Sequence, residues 1–229
     1  MMTIYQDGTY LANNESWHAE DSPWKANHVR RALDQAGVQF KTLAEVGCGA
    51  GQILHSLSNL YPSAVFSGYE VSPDAYALCK QLQTPRLQFH LQNLLTEDVC
   101  FDVLICIDVF EHVEDCFGFL RKLRPKASHH VFHIPLDLSV QSVLRRDKLL
   151  TERAAVGHIQ YFTKETALAT LRDCGYTVLN AFYTSSAIEL EKQSTRSRLM
   201  KLPRRLAFAL APDLAVRVLG GFSLMVVAR

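Results

Sequence analysis

Apolar positions in this chain follow two alternating rhythms. Short runs rich in Val, Ile, Leu and Phe at 42–46, 64–70, 87–91, 101–107, 130–134 and 177–183 read as strands, and 222–228 reads as a last one. Between them apolar residues return every three or four positions, the spacing of a helix with one buried face. Examples are Ile53, Leu54, Leu57 and Leu60, then Ala75, Leu78, Cys79 and Leu82. Tyr61-Pro62, Pro125 and Pro135 punctuate the pattern, and Ser72-Pro73-Asp74 and Thr163 are helix starts. Strands that alternate with helices and are apolar along their whole length predict a parallel sheet covered on both faces.

Two regions stand outside that rhythm. Residues 1–40 carry Tyr5, Tyr10, Trp17 and Trp24, then a helix with Ser22 as N-cap, Pro23 in its first turn and Gly37 at its end. This N-terminal helical segment either folds as a flap over a pocket or packs the helix onto the core. Residues 186–218 carry Lys192, Arg196, Arg198, Lys201, Arg204, Arg205 and Arg217, interleaved with Leu199, Leu202, Leu206, Phe208, Leu210, Leu214 and Val218. They form a basic amphipathic insertion before the last strand. The main domain is then 41–185 plus 219–229.

The first strand runs into Glu45-Val46-Gly47-Cys48-Gly49-Ala50-Gly51-Gln52. A strand that turns through closely spaced glycines into a helix lets backbone N–H groups approach a ligand. No lysine follows the glycines, so this is not a P-loop, and Gln52 stands where a dinucleotide fold has its third packing glycine. Glu70 ends the second strand about 20 residues later, the place of a ribose-binding carboxylate.

Composition narrows the field. Hydrophobic residues make up 48% and charged residues 21%, and the net charge of +1 gives no basic field for nucleic acid. The six cysteines form no CxxC pair, which argues against a zinc ribbon or a disulfide framework. Cys48, inside the glycine turn, is read as a space-filler, with a reactive thiol as the alternative. No run approaches the ~20 apolar residues of a membrane span, and residues 1–7 lack a secretory pattern. The expected location is cytoplasmic, with peripheral contact at the inner membrane surface.

Three segments together resemble the class I S-adenosylmethionine-dependent methyltransferases: Glu45–Gly51, Gly68-Tyr69-Glu70-Val71-Ser72, and Phe101–Val113 with its Asp108-x-x-Glu111-His112-Val113 end. The last segment is similar to the small-molecule branch, which includes ubiquinone-biosynthesis O-methyltransferases and methyltransferases of cell-surface polysaccharide pathways. The resemblance implies a Rossmann-like α/β fold, seven mostly parallel strands with the last antiparallel, and S-adenosyl-L-methionine as cofactor. It implies that Gly47, Cys48, Gly49 and Gly51 cradle the methionine part, with Glu45 nearby. It places Glu70 and Val71 at the ribose, Asn93 and Leu94 at the adenine, and Asp108 at the amino group or the transferred methyl. An acid is frequent where Asn93 stands, but an amide oxygen also accepts an N–H.

Methyl transfer is an in-line displacement, so the protein mainly positions donor and acceptor. A hydroxyl acceptor needs a base, and His112 and His158 are the candidates. Each has a bland alternative: His112 as a helix cap, His158 as a substrate contact or loop anchor. His129, His130 and His133 alternate across a strand and cannot converge on a metal, so none is assigned. Glu111, Glu114 and Asp115 read as acids at a helix start. The acceptor is expected to be a small molecule, a glycan or a lipid-linked precursor; nucleic acid is disfavoured by charge and by the lack of an Asn/Asp-Pro-Pro-Tyr-like motif. The insertion either lies on an anionic membrane surface or packs as a lid with a solvated basic face. A cofactor-binding protein without transfer activity, or an NAD-dependent reductase, is the alternative function.

Overall fold

The computed structural model describes residues 19–190 and 195–229, without the side chains of 19, 187 and 195–200. The seven predicted strands are β1 (Thr42–Val46), β2 (Val65–Glu70), β3 (Leu87–Leu91), β4 (Phe101–Ile107), β5 (Ala127–Pro135), β6 (Val178–Thr184) and β7 (Ser223–Ala228). They form one sheet in the order β3-β2-β1-β4-β5-β7-β6. β7 runs antiparallel to β5 and β6, and the other pairings are parallel. This is the mostly parallel α/β sheet expected. The chain reverses its direction of travel across the sheet between β1 and β4, and ligands of open α/β sheets bind at such a switch point.

Alternation along the strands sorts side chains to two faces. Leu43, Phe66, Val103, Ile105, Val131, Met225 and Val227 pack on one side under α1 (Ser22–Ala36) and α2 (Gln52–Leu60), which bring Ala26, Val29, Leu33, Leu54 and Leu57. Between β2 and β3 runs the short helix α3 (Pro73–Cys79). Ala44, Leu104, Cys106, Phe132, Ile134 and Val226 pack on the other side. Their partners are Leu120 and Leu123 of α4 (Cys116–Leu123), and Ala167 and Leu171 of α7 (Lys164–Asp173). Between β5 and α7 lie α5 (Val140–Leu144) and α6 (Lys148–Val156), where the sequence shows only a hint of helix.

Several local expectations change. α1 begins at Ser22 itself, with Asp21 before it and no side-chain cap bond, whereas Gly37 ends it in the left-handed conformation as expected. α1 packs on the sheet, so the packing alternative holds for this helix; Trp17 and the rest of 1–18 lie outside the described residues. Asp115 caps α4 by accepting the Gly118 N–H at 2.8 Å. Glu111 does not serve that helix: it is fully buried in the tight turn Phe110–His112. The insertion holds α8 (Ser186–Glu189), α9 (Thr195–Leu210) and α10 (Pro212–Leu219). Ala215 and Val216 of α10 are buried, and the ion pairs Lys164–Asp213 at 2.8 Å and Arg217–Glu165 at 2.6 Å tie α10 to α7. This side of the insertion packs like a lid.

Candidate functional site

The glycine turn sits at the carboxyl end of β1, on the switch point. Gly47 and Cys48 donate their N–H groups to the Tyr69 carbonyl at 2.8 and 3.1 Å, which locks the turn to β2. Gly51 has φ +75, and a Cβ there would stand 2.6 Å from Phe89 Cζ and 2.7 Å from Cys79 Cβ. The third glycine therefore serves close packing as well as the turn, and α2 begins directly after it. Cys48 is buried, and its hydrogen bond with Cys79 and its burial push the thiol well above its ordinary range. That is the space-filler; a reactive thiol needs the opposite shift.

Glu70 is buried at the end of β2. Its Oε2 accepts the Gly49 N–H at 2.9 Å, and its Oε1 accepts those of Val71 at 2.7 Å and Ser72 at 2.8 Å. Burial raises the carboxyl above its usual range, and the three N–H donors offset part of that rise. Val71 is exposed beside it. Glu45 is 1% exposed, its Oε2 has no hydrogen-bond partner, and burial pushes its pKa well up against the pull of Lys25. Asn93 is exposed and its side-chain oxygen accepts the Leu95 N–H at 3.1 Å, so one lone pair of the expected adenine acceptor is already used. Leu94 departs from expectation: its side chain is buried in the core among Tyr69 and Leu104, which leaves only its main chain for a ligand.

Asp108 follows β4 with φ 53, the one non-glycine in the left-handed region among the described residues. Its carboxylate bridges Lys25 Nζ at 2.8 Å and His133 Nδ1 at 2.6 Å, and His133 Nε2 lies 2.8 Å from Thr184 Oγ1. Burial opposes the Asp108 charge, but His133 and Lys25 outweigh it and hold the carboxyl below its usual range. Lys25 and Thr184 escaped the sequence reading, and His133 entered it only as an unassigned metal candidate, because they come from α1, β6 and β5 and share no local motif. His130 lies instead against Phe132 and Tyr176, away from His133, as strand alternation requires.

The two candidate bases do meet. The His112 and His158 rings are 4.8 Å apart, edge to face. The Ile159 and Gln160 N–H groups both bond the Glu111 carbonyl at 2.9 Å, which pins the 158 loop against the turn after β4. His158 Nδ1 contacts Asp137 Oδ2 at 2.6 Å. Burial, and then His158, push the His112 pKa down to about 4, so its ring is neutral at neutral pH. An open groove of about 490 Å³ lined by Trp24, His28, Arg31 and Glu189 along α1 contains none of these groups.

Residues 44–131 match the family model of the methyltransferase domain. Over that stretch the chain is similar to a methyltransferase domain. Its fold is that of the class I S-adenosylmethionine-dependent methyltransferases. A curated relative, the ubiquinone biosynthesis O-methyltransferase of Glaesserella parasuis serovar 5 (strain SH0165), is 23% identical over 128 residues, 48% of this chain and 53% of the relative. The chain thus spans about half the length of that relative. Among solved structures, magnesium protoporphyrin IX methyltransferase from Synechocystis PCC 6803 with bound SAH aligns at a TM-score of 0.61 with 16% identity, covering 90% of this chain and 83% of that one. An N-methyltransferase from Bradyrhizobium japonicum WM9 aligns at 0.56 with 16% identity, covering 90% and 93%. Relatives named for O- and N-methylation share this methyltransferase fold, so the fold does not choose the acceptor atom.

Proposed function

We propose that this protein transfers the methyl group of S-adenosylmethionine to a small-molecule or glycan hydroxyl. One observation carries the reading: two buried carboxylates, Glu45 and Glu70, stand at the glycine turn, and an oxygen of Glu45 is unpartnered. A pyrophosphate would be repelled there. A donor with an ammonium and a sulfonium fits, because a cation supplies the partner that a buried carboxylate lacks. Bound S-adenosylmethionine would supply an electrophilic methyl whose C–S bond breaks, with its electron pair left on sulfur, as the acceptor oxygen bonds the carbon.

This chain's own residues do the rest. The Gly47–Gly51 backbone and Glu45 would hold the amino-acid end, Glu70 the ribose, and the Asn93–Leu94 turn the adenine. Asp108, already fixed by Lys25 and His133, would set the edge of the site nearest the transferred group. The proton of an acceptor hydroxyl would leave to the His112–His158 pair, with Asp137 orienting His158 and stabilising it when protonated. O-methylation rests on this histidine pair.

The exposed side chains of the insertion support a second element of the proposal, contact with an anionic membrane surface. Leu202, Leu206 and Leu210 are 66%, 56% and 85% exposed at a spacing of four along α9, and Val143 and Leu144 of the neighbouring α5 are 63% and 79% exposed. Exposed Arg145 and Arg205 adjoin Leu144 and Leu206 in the chain, whereas the Arg204 guanidinium turns inward to Gln141 Oε1 and the Leu219 carbonyl, both at 3.3 Å. An apolar stripe edged by guanidinium groups suits a lipid-linked acceptor at the interface. No described helix is long and apolar enough to cross a bilayer.

Calorimetric titration with S-adenosylmethionine, S-adenosylhomocysteine and NAD tests the donor. Binding of the first two and not the third is expected; NAD binding, or none, overturns the reading. Methyl transfer to a hydroxyl acceptor panel separates the enzyme from a cofactor-binding protein without turnover.

A further inference from the structure

The buried face of the histidine pair holds a group that proton transfer leaves unexplained. Glu111 is 0% exposed, and neither carboxylate oxygen has a hydrogen-bond partner. A carboxyl stripped of water and given no donor costs several kcal/mol, by the usual scale of buried unpaired charge. Protonation does not solve this, because the acid's O–H would itself need an acceptor. The nearest polar atom of the pair, His112 Nε2, is 3.9 Å from Glu111 Oε1, too long for a hydrogen bond. A cation between them would give Glu111 the partner it lacks.

We propose that Glu111, His112 and His158 bind a divalent transition-metal cation. One donor atom from each of the three lies within 4.8 Å of the others. Donors about 2.1 Å from a common ion sit roughly 3.4 Å apart, so side-chain rotations that draw the cluster in by about 1 Å complete the site. The surroundings are those of a ligand set. Asp137 engages His158 Nδ1 at 2.6 Å and so turns Nε2 toward the cluster, the carboxylate–histidine arrangement that orients metal ligands. The carbonyls of Gly157 and Asp108 hydrogen-bond the His112 ring and so orient it. The bonds from Ile159 and Gln160 to the Glu111 carbonyl fix the spacing of the two halves.

The donor set selects the class of ion. Two imidazoles and one carboxylate suit zinc, manganese, iron(II) or cobalt, whereas magnesium prefers an all-oxygen octahedron. Three protein ligands leave positions open, as in catalytic rather than structural sites. What those positions receive rests on the methyl-transfer reading: an acceptor oxygen held there would lose its proton more readily. The two histidines would then act as ligands, with a base role only in the metal-free protein. Binding of the ion itself does not depend on that reading.

The test uses the full chain, stripped with a chelator and titrated with Zn²⁺, Co²⁺ and Mg²⁺. One equivalent of Zn²⁺ should bind, Co²⁺ should give visible d–d absorption, and Mg²⁺ should not compete. Glu111→Gln and His158→Ala should each weaken binding on the order of 100-fold, and Asp137→Asn about 10- to 100-fold. Thermal melts check folding, and Glu111→Gln keeps the shape of a side chain that has no partner to lose. S-adenosylmethionine titration of the same variants should be unchanged. No stoichiometric Zn²⁺ uptake by the wild type, or uptake that both variants retain, overturns the site. If Zn²⁺ binds and S-adenosylmethionine does not, the methyl-transfer reading fails and the metal site stands; the reverse result rejects the metal site alone.

Discussion

Glu70 Oε2 accepts the Gly49 N–H at 2.9 Å, so the acid ending β2 and the turn ending β1 form one unit before any ligand arrives. Two carboxylate oxygens offer about four lone-pair sites. The backbone takes three of them and leaves one on Oε2 for a ligand. Glu70→Gln would set an amide NH₂ against one of these N–H donors. Hydrogen bonds to charged groups contribute about 1.5–3 kcal/mol, so stability should fall by that order and S-adenosylmethionine should bind at least about 10-fold more weakly. Calorimetry beside thermal melts reads both, and an unchanged affinity would remove Glu70 from the ribose site.

Asp108 and Lys25 form a long-range tie between the switch point and α1. Their side chains are 23% and 17% exposed, so solvent screens the pair and its worth is about 1–2 kcal/mol rather than the 3–5 of a dry pair. Lys25→Met and Asp108→Asn should each lower the urea midpoint. The double variant should lose less than the sum, because the second change removes a charge already stranded by the first. Strict additivity would show that the contact is incidental.

The sheet was legible because strands buried on both faces are mostly apolar and alternate with helix-spaced segments. The glycine turn and the acid at the next strand end were legible for a similar reason. Glycines in a strand–helix turn and an acid at the next strand end are local signals, and the structure brings Gly49 and Glu70 into contact. Gly51 shows the limit of that logic, since its missing Cβ makes room for Phe89 and Cys79, which no local pattern names. Glu111 shows a second limit. An acid before a helix reads as a cap, and only tertiary packing reveals that it is sealed between β4 and the 158 loop. Lys25, His133 and Asp137 act through partners 83, 25 and 21 residues away, a spacing with no period to detect.

His130 should govern part of the acid stability. Burial lowers its pKa from the ordinary 6.5 to about 4, partly offset by the Leu123 carbonyl. A histidine depressed in the folded state takes up its proton first in the unfolded chain. Its stabilising contribution is therefore full above about pH 6.5 and lost as the pH falls toward 4. Between pH 7 and 5 the loss is about 2 kcal/mol at 1.36 kcal/mol per unit. His130→Phe, placed between Phe132 and Tyr176, should flatten that part of the stability–pH curve in urea titrations. An equal slope in the variant would assign the acid sensitivity elsewhere.

Membrane contact makes opposite demands on two faces of the insertion. The α10 face is committed to the domain by Lys164–Asp213 and Arg217–Glu165, whereas the α9 leucines touch little of the protein. Replacing them should therefore cost the fold almost nothing and the interface a great deal. Burying one leucine side chain in an apolar phase is worth about 1.5–3 kcal/mol, so Leu206→Asp together with Leu210→Asp should weaken vesicle binding by at least about 100-fold. Co-sedimentation with phosphatidylglycerol vesicles at low salt, read beside thermal melts, checks this. Added salt should release the wild type as the exposed Arg145 and Arg205 charges are screened. Wild-type protein that stays in the supernatant at low salt would reject the membrane reading and leave α9 as a lid over a soluble acceptor.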